Sequence, residues 1–315
     1  MELLRIFLLL SVCVSLQAAK PNLIFIMLDD AGYGDLSCYG QQLFKPQNVD
    51  KLAKEGLKFT QHYSGSTVCA PTRCSLMTGL HTGHTFVRGN REIQPEGQWP
   101  IPANHVTLPK LLRKAGYRTG IFGKWGLGAP GSSGDPVRQG WDVFYGYNCQ
   151  RQAHTYYPGH LWHNDKKVML DGKTYSHDLI QTQTLKFIRD NRDRPFFAYL
   201  PITIPHAAMQ VPEKYAAPFR KKFSQFKDKI GRYSHNTRVR NPAAMFAGMM
   251  TRMDEGIGEL LDLLDELKIS KNTLILFTSD NGPHYEGGHM PGFFNSNGPL
   301  RGHKRDLWEG GIRVP

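Results

Sequence analysis

Two hydrophobic runs in the chain end in polar, oxygen-bearing residues. Residues 23–28 are continuously apolar and are followed by Asp29 and Asp30, and the apolar run in NTLILFTSDN ends in Asp280 and Asn281. Unbroken apolar runs of this length are typical of strands that are buried on both faces. The pattern therefore predicts two buried strands, each carrying potential ligands at its carboxyl end.

Between these runs, segments with helical periodicity alternate with further strands. Helices are predicted from Asn48 to a stop at Gly56, from Thr107 to a stop at Gly116, and over 241–269; strands are predicted after Gly56 and at 117–122 and 196–200. The alternation predicts an α/β fold in which helices sandwich a mostly parallel mixed sheet. Ligands bind beyond the carboxyl ends of such strands, so we expect the two polar pairs to meet at one edge.

The charge balance favours anionic partners. Lysine and arginine exceed aspartate and glutamate by 39 − 27 = 12, and the sequence pI is about 9.5. Because no dense basic run is interleaved with aromatic residues, no nucleic-acid partner is expected. The basic stretch 217–242 is interpreted as a solvated insertion in preference to a substrate-facing rim.

The N-terminus has the pattern of a secretory signal peptide. Arg5 precedes an apolar run over 6–16, and Ala18 and Ala19 suit cleavage. We therefore predict a signal peptide over 1–19, a folded domain over 20–315, and export to the periplasm or the extracellular space. No later segment is apolar enough for a stable membrane span.

The stretch VCAPTRC, residues 68–74, places a thiol at the mouth of a short predicted helix. The spacing of Cys69 and Cys74 is not Cys-x-x-Cys, which disfavours zinc. Three interpretations of Cys69 stay open: a disulfide or metal site, a nucleophilic thiol, or a buried cysteine without a task.

The polar strand ends suit a hard cation. Two carboxylates and an Asp-Asn pair are the oxygen ligands that Ca²⁺ and Mg²⁺ prefer. Turn formation is the alternative for either pair alone, but two pairs that each end an apolar strand favour a metal. The histidines of the chain are interpreted as ordinary surface or hydrogen-bonding residues at four positions: His84, His154, His177 and His284.

A family resemblance emerges from several motifs in order. CAPTR fits the Cys-x-Pro-x-Arg signature of the type I sulfatases, which depend on formylglycine and belong to the alkaline phosphatase superfamily, with Thr72 where serine is usual. The resemblance extends over nearly the whole mature chain through five further segments: NLIFIMLDDAGYGDLSCYG, GIFGKWGLG, IPHAAMQVP, FTSDNG and HKRDLWEGGIRVP.

The resemblance implies a role for Cys69 as the precursor of an aldehyde. A formylglycine-generating enzyme would oxidise it to Cα-formylglycine, whose hydrate has two hydroxyls: one attacks sulfur and expels the alcohol, and the other drives release of sulfate. Ca²⁺, with Mg²⁺ as the alternative, would be held by five residues: Asp29, Asp30, modified Cys69, Asp280 and Asn281.

The resemblance also implies roles for the remaining motif residues. Asp280 would help to deprotonate the attacking hydroxyl, and Arg73 would steady the diol. Lys124 and Lys304 would bind sulfate oxygens, and His206 would protonate the leaving oxygen.

The implied function is that of an exported, arylsulfatase-like sulfuric ester hydrolase acting on a sulfated carbohydrate. The alternatives are a phosphoester or phosphonate hydrolase of the same superfamily and a non-catalytic protein that binds sulfated glycans. Two departures from the family pattern stand out. Gly126 replaces the usual histidine of Lys-Trp-His, so either His84 or water takes its part, or the chain represents a subfamily with a different pocket. EGGIRVP normally leads into a smaller C-terminal subdomain, which is expected to be missing.

Overall fold

A computed structural model of the protein describes residues 20–234 and 237–315. The signal peptide predicted for 1–19 lies outside these ranges. Within them, no helix combines the length and the apolar character that a membrane span requires.

A mixed sheet organises the described part of the chain. The described strands are β1 (Asn22–Asp29), β2 (His62–Tyr63), β3 (Arg118–Lys124), β4 (Val143–Tyr147), β5 (His160–His163), β6 (Lys166–Met169), β7 (Phe196–Pro205), β8 (Ile230–Tyr233), β9 (Thr237–Arg240), β10 (Thr273–Ser279) and β11 (Arg313–Val314). Seven of these described strands form the main sheet in the order β10-β1-β7-β3-β4-β5-β6. The first five strands are parallel to one another, whereas β5 pairs antiparallel with β4 and β6 pairs antiparallel with β5, which confirms the predicted mostly parallel mixed sheet.

Helices cover both faces of this sheet. They are α1 (Gln47–Glu55), α2 (Cys69–Thr78), α3 (Leu108–Lys114), α4 (Ser176–Asp190), α5 (Glu213–Lys222), α6 (Pro242–Glu266), α7 (Pro291–Phe294) and α8 (Glu309–Ile312). Alternate residues of β1 show the two layers: Ile24 and Ile26 belong to the core that contains Phe246 of α6, whereas Met27 belongs to the core that contains Met77 of α2.

Three local expectations differ from the structure. β10 was predicted to be buried, but among the described strands only β1 pairs with it, so it lies at the edge of the sheet, and Leu274 and Leu276 are 51% and 42% exposed. The strand expected after Gly56 is the two-residue β2, which pairs with β11 outside the main sheet. Thr107 precedes α3 as predicted, but its hydroxyl donates to the carbonyl of Gln139 and does not cap the helix.

Candidate active site

The polar residues at the ends of β1 and β10 meet at one edge of the sheet. The backbone N–H of Asp30 donates to Oδ1 of Asp280 at 3.1 Å, although 250 positions separate them. Nδ2 of Asn281 donates to Oδ1 of Asp30 at 2.8 Å. Both strands are parallel neighbours, so their carboxyl ends coincide, and Asp29 completes a fully buried group.

Helix α2 brings Cys69 and Arg73 to the same edge. They are one helical turn apart and therefore share a face. Sγ of Cys69 lies 3.4 Å from Oδ1 of Asp29, and Nη2 of Arg73 donates to Oδ2 of Asp280 at 2.8 Å. Because α2 begins at Cys69, the positive end of its helix dipole lies beside this residue and favours negative charge there.

The surroundings of Cys69 bear on its three interpretations. The thiol is free, which excludes the disulfide. Burial, with the Asp29 carboxylate, raises the pKa of the thiol, so direct attack by a thiolate is disfavoured. The contact with Asp29 also argues against the third interpretation, because an ordinary core cysteine packs against apolar side chains. Cys74, on the same helix, packs instead in the apolar cluster that contains Met77.

Each carboxylate of the centre has its own cation. Nζ of Lys124, at the end of β3, lies 2.5 Å from Oδ2 of Asp29. Nζ of Lys304 lies 2.7 Å from Oδ2 of Asp30. With Arg73 on Asp280, these three buried carboxylates face three buried cations. Lys304 also lies 3.3 Å from Oε2 of Glu286, which pairs in turn with Arg305.

The pKa values of these carboxyl groups diverge. Burial alone would raise the pKa of Asp29, but Lys124 and its neighbouring cations hold it well below the usual range. Burial alone would also raise the pKa of Asp30, but Lys304 together with the neighbouring histidines lowers it. Burial and the charge of Asp29 raise the pKa of Asp280 to about 7. Asp280 is therefore the carboxylate of this group that accepts a proton most readily.

The oxygen donors at this edge fit a hard divalent cation, and Cys69 and His206 add a sulfur and a nitrogen beside them. One ligand atom from each of Asp29, Asp30, Cys69 and His206 lies within 4.8 Å of the others, and all four residues are buried. Oδ1 of Asn281 is also buried and has no donor among the described residues. A buried oxygen without a partner, beside carboxylates, is satisfied by a cation such as Ca²⁺ or Mg²⁺.

This geometric group differs in part from the predicted ligand set. Oδ1 of Asp280 accepts from the N–H of Asp30, and its Oδ2 accepts from Arg73, so Asp280 stands beside the group of four. His206, which was predicted only as an acid, lies within the group. The place of Asp280 among the ligands stays a prediction.

His206 lies just beyond the end of β7 and faces Lys304. Its Nε2 is 3.3 Å from Nζ of Lys304 and 3.5 Å from Oδ2 of Asp30. Burial and the positive charge of Lys304 lower the pKa of His206 well below its usual value. The neutral ring therefore accepts a hydrogen bond from the ammonium group of Lys304.

Two histidines interpreted as ordinary residues surround His206. The ring of His154 stacks on it with centroids 5.1 Å apart, and the ring of His284 lies 6.0 Å away. Tyr233 of β8 completes the cluster at 5.6 Å from His206. His154 follows β4, a short strand that was not predicted. The apolar run VFYGY was a signal for β4 itself, but it does not indicate where the loop beyond it places His154.

Comparison with known proteins identifies the family. The profile of the Sulfatase family matches residues 21–315. The chain belongs to the sulfatase family. It is thereby a member of the alkaline phosphatase superfamily, in agreement with its motifs and its sheet.

Individual members of the sulfatase family resemble the chain over most of its length. An arylsulfatase of Hemicentrotus pulcherrimus is 32% identical and covers 94% of this chain and 53% of its own. The N-acetylgalactosamine-6-sulfatase of Rattus norvegicus is 31% identical, covering 94% of this chain and 56% of its own. The crystal structure of Ps i-CgsB in complex with k-i-k-neocarrahexaose is 28% identical with a TM-score of 0.79, covering 94% of this chain and 65% of that one. The chain thus spans about half the length of the curated relatives it matches.

Proposed function

We propose that this protein is an exported sulfuric ester hydrolase in which residue 69 attacks the sulfur of a sulfate ester. The observation that carries the proposal is the position of Cys69. It begins α2, it touches Asp29, and it shares a buried centre with Arg73, Lys124 and Lys304.

The charges of this centre suit an anionic ester. Asp29, Asp30 and Asp280 balance Arg73, Lys124 and Lys304, and Glu286 beside Lys304 is balanced by Arg305, so a divalent cation would leave this centre with an excess of positive charge. Such an excess attracts a sulfate group and stabilises the charge that develops on its oxygens. The N-terminus of α2 adds to the same field.

The groups that this centre fits are a divalent cation and a modified residue 69. Ca²⁺ or Mg²⁺ would be held by Asp29, Asp30, residue 69, Asp280 and Asn281 and would polarise the sulfate oxygens. A Cα-formylglycine hydrate at residue 69, produced by a formylglycine-generating enzyme, would supply the attacking hydroxyl and a second hydroxyl that releases sulfate and restores the aldehyde.

Different residues around residue 69 transfer the protons and bind the sulfate group. Asp280, whose raised pKa suits a base, accepts the proton of the attacking hydroxyl, while Arg73 holds this carboxylate at 2.8 Å. Lys124 and Lys304 bind the sulfate oxygens. His206 passes to the departing alcohol oxygen a proton that it takes from the ammonium group of Lys304, 3.3 Å away, because its own ring is neutral.

We further propose that residues 1–19 are a signal peptide, that 20–315 form one catalytic domain, and that the protein works in the periplasm or outside the cell. The substrate proposed is a sulfated carbohydrate. The basic residues of the β8–β9 ribbon support it. Tyr233 lies on the ribbon 5.6 Å from His206, which favours a substrate-facing rim over the solvated insertion expected for this stretch.

Two arginines oppose each other on the outer face of this ribbon. Arg232 pairs directly with Arg238, both are exposed, and neither has an ion-pair partner among the described residues. Like charges at opposed positions are unfavourable, and an anion between them removes the repulsion. Because the strand alternates faces, both point away from Tyr233. A glycan would therefore have to extend beyond the hydrolysed unit to reach them.

The ribbon is tested with substrates of different length. The double variant Arg232→Gln/Arg238→Gln should raise KM for a sulfated hexasaccharide severalfold and leave KM for 4-nitrophenyl sulfate unchanged. The matched control, Lys114→Gln/Lys271→Gln, makes the same charge change before β3 and β10, at the amino ends of the parallel strands. Equal effects of the two double variants would contradict a role for the ribbon.

The function itself is tested by parallel kinetics on 4-nitrophenyl sulfate and 4-nitrophenyl phosphate with the complete, matured protein. A higher kcat/KM for the sulfate ester is expected. A higher value for the phosphate ester would favour a phosphoester or phosphonate hydrolase. Binding of sulfated oligosaccharides without turnover, together with an unmodified Cys69, would favour a non-catalytic glycan-binding protein.

A further inference from the structure

A buried amide without partners lies beside the end of β3. Gln150 is 3% exposed, and neither Nε2 nor Oε1 of its side chain has a hydrogen-bond partner among the described residues. Its backbone N–H is fixed by a bond to Oε1 of Gln98 at 3.0 Å. An unpaired buried amide costs about 1–3 kcal/mol. Two unpaired atoms on one side chain therefore call for a ligand or a water molecule.

The amide fills the space into which a side chain at position 126 would project. A Cβ atom on Gly126 would lie 2.0 Å from Nε2 of Gln150, and the φ of Gly126 is +77°. Both observations disfavour a histidine at position 126, since its backbone would have to adopt a left-handed conformation and its Cβ would have to displace the amide of Gln150. Glycine and glutamine therefore form a complementary pair.

The location of this pair is the edge of the sheet that carries the site. Trp125 donates to the carbonyl of Tyr147 at 2.9 Å and Gly126 donates to that of Asn148 at 3.0 Å, so the parallel pairing of β3 and β4 continues past both strand ends. Lys124, which binds Asp29, stands two residues before Gly126. Gln150 stands two residues beyond Asn148.

The histidine expected to compensate for Gly126 does not approach the centre. His84 is exposed, and its ring lies 6.4 Å from that of His81. It has no described contact with any residue of the centre. Its predicted compensating role is therefore unsupported, whereas Gln150 is already placed where a side chain at 126 would begin.

We propose that Gln150 is a further substrate-binding residue of the site, and that its Nε2 donates a hydrogen bond to an oxygen of the sulfate group. The inference rests on the proposed function for the identity of the anion. An amide neither gains nor loses a proton near neutral pH, so Gln150 orients and stabilises the sulfate without acting as an acid or a base. Proton transfer is left to Asp280 and His206.

The test compares two substitutions of Gln150 with one of another buried glutamine. Gln150→Leu removes the donor at similar volume, and Gln150→Glu replaces it with a carboxylate. The control is Gln139→Leu. Gln139 is fully buried, and its Oε1 also has no partner among the described residues. It precedes β4 and therefore lies at the amino end of that strand, away from the site. Melting curves check the folding of all three variants.

Two measurements decide the outcome. Gln150→Leu should lower kcat/KM for 4-nitrophenyl sulfate about 10- to 100-fold, and Gln150→Glu should lower it further because its charge repels the ester. Calorimetric titration with inorganic sulfate should show weaker binding in the same order. Gln139→Leu should change only the melting temperature. Unchanged kinetics and sulfate affinity in Gln150→Leu would overturn the proposal and identify Gln150 as a structural residue with a buried water.

The role of Gln150 can still be tested if the variants do not fold or if no sulfate ester is hydrolysed. A crystal structure of the intact protein with inorganic sulfate in the centre should place a sulfate oxygen within about 3.2 Å of Nε2. A bound sulfate that leaves Nε2 to a water molecule would overturn the role of Gln150. Absence of turnover in the parent protein would instead refute the proposed hydrolase. The titration with inorganic sulfate would still test whether Gln150 contributes to sulfate binding.

Discussion

Nζ of Lys124 lies 2.5 Å from Oδ2 of Asp29, although 95 positions separate the two residues, and both side chains are buried. The pair joins the carboxyl ends of β1 and β3 across the intervening β7. Two charges withdrawn from water depend on each other, because either one left alone loses its hydration without compensation. The pair is therefore a structural requirement of the centre as well as part of its proposed chemistry.

Removal of the cation should destabilise the fold. Lys124→Met leaves Asp29 buried without its nearest partner and should lower the free energy of unfolding by about 3–5 kcal/mol in the presence of a chelator. Excess Ca²⁺ should reduce this loss, because a bound cation would compensate the same carboxylate. Urea unfolding with and without Ca²⁺ measures both effects.

The matched control for this experiment is an exposed lysine in an ion pair. Lys186 lies 2.5 Å from Asp190 on α4, with both side chains more than half exposed. Lys186→Met should cost about 0.5 kcal/mol or less and should not respond to Ca²⁺. A similar loss in the two variants would contradict the burial argument.

Cys69 and Cys74 provide an internal comparison on α2. Cys69→Ala should reduce turnover by several powers of ten, because it removes the proposed covalent catalyst. Cys74→Ala should alter stability and leave turnover within a few-fold of the parent, since Cys74 packs in the apolar core. Peptide mass spectrometry should find the aldehyde at residue 69 and a thiol at residue 74. Full turnover by Cys69→Ala would refute the role of this residue.

The main parts of the fold were predictable because strands buried on both faces read as unbroken apolar runs. β1 and β7 were recognised in this way. β6, KKVM, was missed because it is short and mostly exposed, and its place depends on antiparallel pairing with β5. The exposure of β10 could not be inferred from its residues, because whether a strand lies at the edge of a sheet is a property of the topology.

The site was predictable where it lies directly at strand ends. The order of parallel strands brings Asp29 and Asp280 together, and the motifs supply Cys69. His154 and Gln150 were missed because they lie in loops whose path depends on tertiary packing. No local pattern distinguishes a histidine stacked on His206 from one on the surface.

The ligand role of Asn281 leads to a metal-binding prediction. Its Oδ1 is buried without a donor, so Asn281→Ala should weaken Ca²⁺ binding about tenfold or more. Asn191→Ala is the control: this buried asparagine donates to the carbonyl of Phe187 and precedes β7. Calorimetric titration should show unchanged Ca²⁺ affinity in the control.

The type of metal is checked by restoring the activity of chelator-treated protein with different divalent cations. Oxygen ligands predict that Ca²⁺ or Mg²⁺ restores the activity of chelator-treated protein better than Zn²⁺ does. Full activity after exhaustive chelation would contradict a metal in the centre. Equal Ca²⁺ affinity of Asn281→Ala and the parent would remove Asn281 from the ligand set.

A further prediction concerns Asp35, outside the proposed ligand set. Its Oδ2 accepts from the N–H of Gly32 at 2.7 Å, and burial raises its pKa to about 7 from an ordinary value of 3.8. Between these values the folded protein retains a proton that the unfolded chain has lost. The contribution of Asp35 to stability is therefore present at low pH and is lost as the pH rises through about 7.

Asp35→Asn should remove this dependence, because an amide does not titrate. Relative to the parent, the variant should gain free energy of unfolding between pH 4 and pH 8, by up to about 4 kcal/mol for a shift of this size. Asp193→Asn, at a side chain that is 89% exposed, should show no comparable gain. Urea unfolding of the three proteins across this pH range measures the effect. Parallel stability curves for the parent and Asp35→Asn would show that Asp35 ionises in the folded protein as readily as in the unfolded chain.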